Sequence, residues 1–253
     1  MSLSVIISFS PGRQANLLSC LTLLARQSLA PDAVWVECDG EEIALPQGFE
    51  APWPLVCSGR PRDYCVARSR NLGASRSQHD LLVFLDCDVL LQPESLAIYT
   101  QLAQAHPQHA FYGSVTHQVE ALRPSQFFPE QQVCAEDLRF LWREGQLQIL
   151  PTLWQYPQLF AWTGNCCIPR PLFEAVGGFD AGFVGPGWED VDFANRLLKA
   201  GFGLAFGVEA WAEHLHHAKA LAAPLQKARN RARVGPLFEG AQVLVLPVEM
   251  GRV

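Results

Sequence analysis

The chain has no Cys-x-x-Cys pair, no apolar run long enough to cross a bilayer, no internal repeat and no low-complexity segment. Each absence removes a class. Without paired cysteine spacing there is no structural zinc site of the usual kind. Without a long apolar run there is no membrane-spanning helix. Charge of one sign is also short: 19 Lys and Arg face 25 Asp and Glu, a net charge of −6. A dedicated nucleic-acid binder would be basic, so the expected partners include no nucleic acid. SVIISF, near the start, is too short for the apolar core of a signal peptide and no basic segment precedes it. Eight cysteines are present, several inside apolar runs, as Cys38 and Cys57 are. They read as reduced, mostly buried thiols. The sequence therefore predicts a soluble, cytoplasmic protein, with peripheral contact at the inner face of a membrane left open.

What is present suits a large core. Of 253 residues, 49% are apolar, enough for one large α/β domain or a domain with a small appendage. SVIISF (4–9), AVWVEC (33–38), PLVCS (54–58) and LLVFLD (81–86) read as buried strands. Between them, Leu17, Leu21 and Leu24 have helical spacing, and 63–77 reads as a helix. Pro93 opens another, with Glu94 in its first turn. Alternation of this kind predicts a mixed, mostly parallel sheet with helices on both faces. Residues 117–160 show no strand alternation and are expected to form an irregular, partly helical excursion over the site. Short helices are expected at 171–176 and 189–200, the latter ended by Gly201. A basic helix is expected over 218–233, and a last strand or packing tail over 241–248.

Ligands bind beyond the carboxyl ends of parallel strands. Ser8 and Ser10 end the first predicted strand, Asp39 the second, and Asp86 and Asp88 the fourth. In a strand, residues two apart face the same side, so Asp86 and Asp88 could aim at one point. Paired carboxylates repel unless a cation lies near, and oxygen ligands suit Mg²⁺ or Mn²⁺. Solvated turn aspartates are the plain alternative. In GWEDVDFANRLLKAG (187–201), Glu189, Asp190 and Asp192 fill a first helical turn, where the helix dipole alone favours acids. Yet Gly185-Pro186-Gly187-Trp188 precedes them, a glycine loop presenting one large aromatic that could stack on a sugar. An adjacent carboxylate could take a proton from a hydroxyl. In AEHLHH (212–217), three histidines within four residues are candidate metal ligands.

The order RNLGAS, VFLDCD, TGNCCIPRPLFEAVGGFD, GWEDVDFANRL and then histidine resembles the family 2 type glycosyltransferases of the Rossmann-like GT-A fold. The second half resembles the carboxyl-terminal segment of galactosyltransferase-like enzymes. The resemblance spans roughly residues 3–217, and VGGFD followed by G-W-E-D-V-D is its most specific part. It implies a GT-A domain over 1–217, with 1–116 as the nucleotide-binding half and 117–217 as the acceptor and catalytic half. Residues 218–253 would be a basic helix and tail.

The implied roles follow residue by residue. Asp39 would accept a hydrogen bond from the base, taken to be uracil, and Ser8 would sit near the nucleoside. Arg70 would lie near the diphosphate or ribose, with Asn71 and Gly73 shaping that turn. Asp86 would contact ribose or sugar. Asp88 and His214 would bind Mn²⁺ or Mg²⁺, with His216 and His217 as alternatives to His214. Asp190 would be the general base, Glu189 would hold substrate hydroxyls, and Trp188 with Gly187 would pack on the sugar. Two departures stand out: the acidic cluster ECDGEE is short, and Cys87 occupies the middle of D-x-D.

The implied reaction is an inverting transfer from a nucleotide-diphosphate sugar, UDP-sugar by expectation, to an acceptor hydroxyl. A glycan, a lipid-linked glycan or a small molecule would each serve as acceptor. The rivals are a sugar nucleotidyltransferase, for which FSPGRQ is a poor loop, a sugar-binding module, and a nucleotide-sugar-binding scaffold without turnover. The basic segment holds Lys219, Lys227, Arg229, Arg231 and Arg233 with no acid, and reads either as a solvated face or as a contact for anionic lipid or for an anionic acceptor such as a lipid diphosphate.

Overall fold

The computed structural model describes residues 1–60, 64–116, 122–134, 137, 139–143, 146–185, 187–216, 223–241 and 243–246. His217, Lys219, Pro186, and the 247–248 end of the expected last strand lie outside the described residues.

In chain order the elements are β1 (Leu3–Ser8), α1 (Gln14–Leu24), β2 (Ala33–Asp39), β3 (Leu55–Arg60), α2 (Val66–Arg76), β4 (Leu81–Asp86), β5 (Val89–Leu91), α3 (Ser95–Ala105) and β6 (His109–Val115). Then follow β7 (Leu122–Pro124), β8 (Gln132–Cys134), β9 (Phe140–Arg143), β10 (Gln146–Ile149), α4 (Pro151–Gln155) and a 3-10 turn at Pro157–Phe160. The last part holds β11 (Asn165–Pro169), α5 (Arg170–Ala175), α6 (Glu189–Lys199), β12 (Gly203–His214), α7 (Ala223–Arg231) and β13 (Val243–Leu246).

One sheet dominates, in the order β3-β2-β1-β4-β11-β6-β12-β13, with β5 paired to β12. Pairings among β1 to β4 are parallel, as are β6–β12 and β12–β13. β11 lies antiparallel between β4 and β6. Both faces are covered, as the alternation of side chains demands. Val5, Ile7, Val83 and Leu85 point to the layer holding Leu17 and Leu21 of α1 and Ile98 of α3. Ile6, Leu82 and Phe84 point to the layer holding Ala67 and Ala74 of α2 and Phe193 and Leu197 of α6. Gly73 makes the close approach of α2 possible: a Cβ there would stand 2.5 Å from the Ile6 side chain. It works inside a helix, so the expected turn around Asn71 and Gly73 is corrected to mid-α2.

The stretch 117–160 differs from expectation in part. Where described, α4 and the 3-10 turn match the expected partly helical character, but it also contains two small antiparallel strand pairs, β7–β8 and β9–β10, that were not expected. Their strands are three or four residues long, too short for a period-two pattern to register. The expected C-terminal strand is present as β13, parallel to β12. Among the described residues, no helix is long and apolar enough to cross a membrane.

Candidate active site

The carboxyl ends of β1, β2 and β4 do lie side by side, and register places Ser8 opposite both Glu37 and Asp86. Asp86 ends β4 and Asp88 sits in the turn before β5, so the two are not on one strand face as the sequence pattern suggested. They part company there. Asp86 turns to Ser8 and Arg70: the Ser8 hydroxyl donates to Oδ1 at 2.7 Å, and Arg70 Nη2 donates to the same oxygen at 2.9 Å. Burial opposes ionisation of Asp86, but Arg70 and Ser8 outweigh it and hold the carboxyl below its usual range. Asp88 turns the other way, paired with Arg13. Cys87 between them is fully buried in the core, and its sulfur accepts the Ser10 N–H.

His214 reaches Asp88 through strand pairing. β12 runs antiparallel to β5 with His214 opposite Val89, and the Leu215 N–H donates to the Asp88 carbonyl at 2.8 Å. His214 Nε2 then stands 3.7 Å from Asp88 Oδ1. The Glu213 carboxylate before it is wholly buried, held by Arg123 and the Ser125 hydroxyl at 2.6 Å each, which fixes this end of β12. His216 is exposed and carries no such relation to Asp88. A carboxylate oxygen and an imidazole nitrogen are donors that would suit a divalent ion such as Mn²⁺ or Mg²⁺. Among the described residues no group of three or more candidate ligands exists, so further ligands would come from substrate and water.

The second acidic pair opens α6. Gly185, Gly187 and Trp188 all have positive φ, at +72°, +88° and +76°, which tightens the loop and turns the chain into the helix. Glu189 is buried and takes Arg70 Nη1 at 2.9 Å on Oε1, while Oε2 is buried with no partner among the described residues. Asp190 is pushed up to about 7, first by burial and then by the neighbouring Glu189 carboxylate. Burial works against the charge of Arg70 too, but Asp86, Glu189 and Asp190 raise its pKa further, so it stays a cation.

A cavity of about 330 Å³ gathers these groups, lined by Arg70, Asp86, Glu189, Asp190 and His214 together with Trp162, Thr163, Gly164, Thr116 and Lys227. Gly164 leaves room for Asp86, whose Oδ2 would be 2.9 Å from a Cβ there. Trp162 supplies the cavity's aromatic wall. The fully buried Arg139 lies 4.4 Å behind its ring and is pinned by Asp137 and the Gly113 and Phe160 carbonyls. Trp188 does not line this cavity. Its ring packs against Phe183, Val191 and Val234, with Arg231 stacked over it at 4.8 Å. Asn71 is likewise used elsewhere: its amide donates to the Phe179 carbonyl at 2.8 Å and accepts the Phe179 N–H at 2.9 Å.

That contact explains the GGFD stretch. Gly177 and Gly178, both with positive φ, reverse the chain after α5. Phe179 then stacks on Phe193 of α6 at 4.4 Å and lies under Arg70 at 5.4 Å. Asn71 secures the backbone that carries it. Asp39 is buried at the end of β2 and paired with Arg68. It lines a separate cavity of about 420 Å³ with Glu37, Arg60 and Asn71. Glu37 takes Arg76 at 2.5 Å, and burial pushes its carboxyl up. Sequence reasoning missed Trp162, Gly164 and Lys227 as cavity walls. The triplet TGN next to a buried strand was the available signal for Gly164, the acid-free basic segment was the signal for Lys227, and nothing local marked Trp162.

Residues 58–209 match the family described as Glycosyltransferase like family 2. The chain is 29% identical over 247 residues to a validoxylamine A glucosyltransferase of Streptomyces hygroscopicus subsp. limoneus, covering 85% of this chain and 52% of that protein. It thus spans about half the length of this curated relative. Among solved structures, GalNAc-T7 with UDP, GalNAc and Mn²⁺ superposes with a TM-score of 0.63 at 13% identity, over 86% of this chain and 44% of that one. The mannosyltransferase PcManGT of Pyrobaculum calidifontis, in complex with GDP-Man and Mn²⁺, superposes with a TM-score of 0.58 at 15% identity, over 93% and 65%. These likenesses give the fold, which is GT-A.

Proposed function

The chain belongs to the glycosyltransferase like family 2, and from that premise we propose that it transfers a sugar from a nucleotide-diphosphate donor to an acceptor hydroxyl with inversion at the anomeric carbon. The observation that carries the reading is Asp190, a carboxylate raised to about 7 at the wall of the cavity that Asp86 and His214 also line. A carboxylate tuned near neutral pH is suited to take the acceptor proton as the hydroxyl attacks.

Each remaining group has a task in that reaction. Asp39 accepts a hydrogen bond from the base in the second cavity, and a uridine donor suits one carboxylate acceptor. Asp86, fixed by Ser8 and Arg70, accepts from a ribose or sugar hydroxyl. Glu189 presents its unpartnered Oε2 to a second hydroxyl. Asp88 and His214 hold a divalent ion, whose chemistry is to neutralise the leaving diphosphate. Arg70 is enclosed between two carboxylates, so it orients Asp86 and Glu189 rather than reaching the phosphates itself. Trp162 offers the apolar wall for the acceptor, the role the sequence had suggested for Trp188. The acceptor class is a glycan, a lipid-linked glycan or a small polyhydroxylated molecule, and GDP-sugars are the donors to compare with UDP-sugars.

A panel of UDP- and GDP-sugars with and without Mn²⁺, scored by thermal shift and by slow donor hydrolysis, tests this reading. Stabilisation and hydrolysis with one donor, lost in Asp88→Ala, is the expected result. Stabilisation without any turnover would make the chain a sugar-nucleotide-binding scaffold, and no response to any donor would overturn both.

A further inference from the structure

Among the described residues, the cavity is rich in acids and holds little free positive charge. Asp86, Glu189 and Asp190 line it. Arg70 is committed to Asp86 through Nη2 and to Glu189 through Nη1. Its guanidinium is only 3% exposed. A donor diphosphate brought here would meet carboxylates on several sides, so a further cation beside a metal ion would favour its binding.

One lysine is in place. Lys227 projects from α7 and lines the same cavity. Its aliphatic stem runs along the backbone of Gly187: a Cβ at Gly187 would lie 3.2 Å from Lys227 Cγ, 3.6 Å from Cδ and 3.4 Å from Cε. The bare Gly187 backbone gives the stem room, since a Cβ there would crowd Cγ. The helix is tied to that loop independently. Gln226 Nε2 donates to the Val184 carbonyl at 2.8 Å, and Asn230 Nδ2 donates to the carbonyls of Val184 at 3.2 Å and Gly187 at 3.0 Å. Arg231 stacks on Trp188 and Arg233 pairs with Asp180. Three cations of the basic segment thus face the loop before α6 instead of forming a uniform solvated face.

We propose that Lys227 is a binding residue for the diphosphate of the nucleotide donor, delivered to the cavity by α7 along Gly187. The proposal rests on the sugar-nucleotide reading above and adds the residue that meets the phosphates. An ammonium on a flexible stem is suited to the task, because it can follow charge as it accumulates on the leaving group.

Calorimetric titration of UDP, GDP, UMP and GMP in the presence of Mn²⁺ tests it, using the full chain and its Lys227→Ala, Lys227→Arg and Arg229→Ala variants. Lys227→Ala should weaken the diphosphate it binds by about tenfold to a hundredfold, as loss of a hydrogen bond to a charged group does. The matching monophosphate should change far less. Lys227→Arg should recover most of the loss, and Arg229→Ala, an exposed cation on the same helix that does not line the cavity, should bind like the parent. Equal affinity of Lys227→Ala and parent for the diphosphate would overturn the proposal. So would an equal loss in Arg229→Ala, or an equal loss for the monophosphate. A parent chain that binds neither diphosphate would instead overturn the sugar-nucleotide reading and this inference with it. Unchanged apo melting temperatures confirm that any loss is not a folding defect.

Discussion

Arg70 and Glu189, 119 residues apart in the chain, meet through a 2.9 Å hydrogen bond between Nη1 and Oε1, both buried. The contact joins α2 to the start of α6 and, through Asp86, to the end of β4. It makes Arg70 the brace of the acidic site. Breaking a buried pair leaves an uncompensated charge behind, which costs about 3–5 kcal/mol. Arg70→Ala should therefore lower the free energy of unfolding by that order, measured by chemical denaturation. Arg70→Lys should lose less, because the positive charge is kept, yet still lose stability, because one ammonium cannot serve both carboxylates in the forked geometry of a guanidinium. An Arg70→Ala protein as stable as the parent would remove the brace.

Asp190 carries two coupled predictions. Its folded pKa, about 7, lies above the ordinary value of 3.8. Below about pH 4 the group is protonated folded or unfolded and contributes nothing. Between about 4 and 7 the unfolded chain ionises more readily, so this residue lowers stability as pH rises, and the loss is complete above about 7. Asp190→Asn should thus raise stability at pH 7.5 by about 1–3 kcal/mol. It should also lower transfer by about 10²- to 10⁴-fold, the usual share of a general base. In the parent, kcat/KM should climb through pH 7 as the base form accumulates, and that limb should vanish in the variant. Full transfer activity in Asp190→Asn would exclude it as the base.

Asp88 and His214 are tested together by metal removal. With Mn²⁺ present, a nucleoside diphosphate should raise the melting temperature of the parent, and chelation should abolish the rise. Asp88→Ala and His214→Ala should each lose most of it, whereas His216→Ala, altering an exposed residue, should keep it. A metal-dependent rise that survives in both Asp88→Ala and His214→Ala would place the ion elsewhere.

Asn71 should behave as a structural residue. Asn71→Ala removes both hydrogen bonds to the Phe179 backbone and leaves that buried carbonyl and N–H unmet, a cost of about 1–3 kcal/mol. Donor affinity, measured well below the melting temperature, should stay near that of the parent. A large loss of donor affinity with unchanged stability would return Asn71 to the binding site.

Trp162 and Trp188 separate by readout. Trp162→Ala should weaken acceptor use while slow donor hydrolysis in its absence continues. Trp188→Ala removes a half-buried ring packed against Phe183, Val191 and Val234 and should show first as lost stability, less than the about 3–5 kcal/mol of a fully buried aromatic. Acceptor kinetics indifferent to Trp162 would take the acceptor wall away from that ring.

Local rules were enough for much of this chain. Alternating apolar runs marked β1, β2 and β4, and parallel strands ending in Ser8, Asp39 and Asp86 pointed to the correct end of the sheet. Acids before a periodic stretch and glycine after it bounded α6. All of these depend on neighbours within a few residues. The directions of the side chains did not. Asp86 and Asp88 diverge because β4 ends between them, and Asp88 finds His214 only because β12 runs antiparallel to β5, a pairing across more than 120 residues. Arg70 could be recognised as basic and near the site, but its commitment to two carboxylates depends on α2, β4 and α6 meeting. Trp188 packs on Phe183, Val191 and Val234 instead of lining the cavity, and Trp162 stands in the cavity wall with the buried Arg139 stacked on its ring. Patterning along the chain decides which residues stand at the end of the sheet; contacts between distant elements decide which way they face, and the chemistry of the site depends on the second.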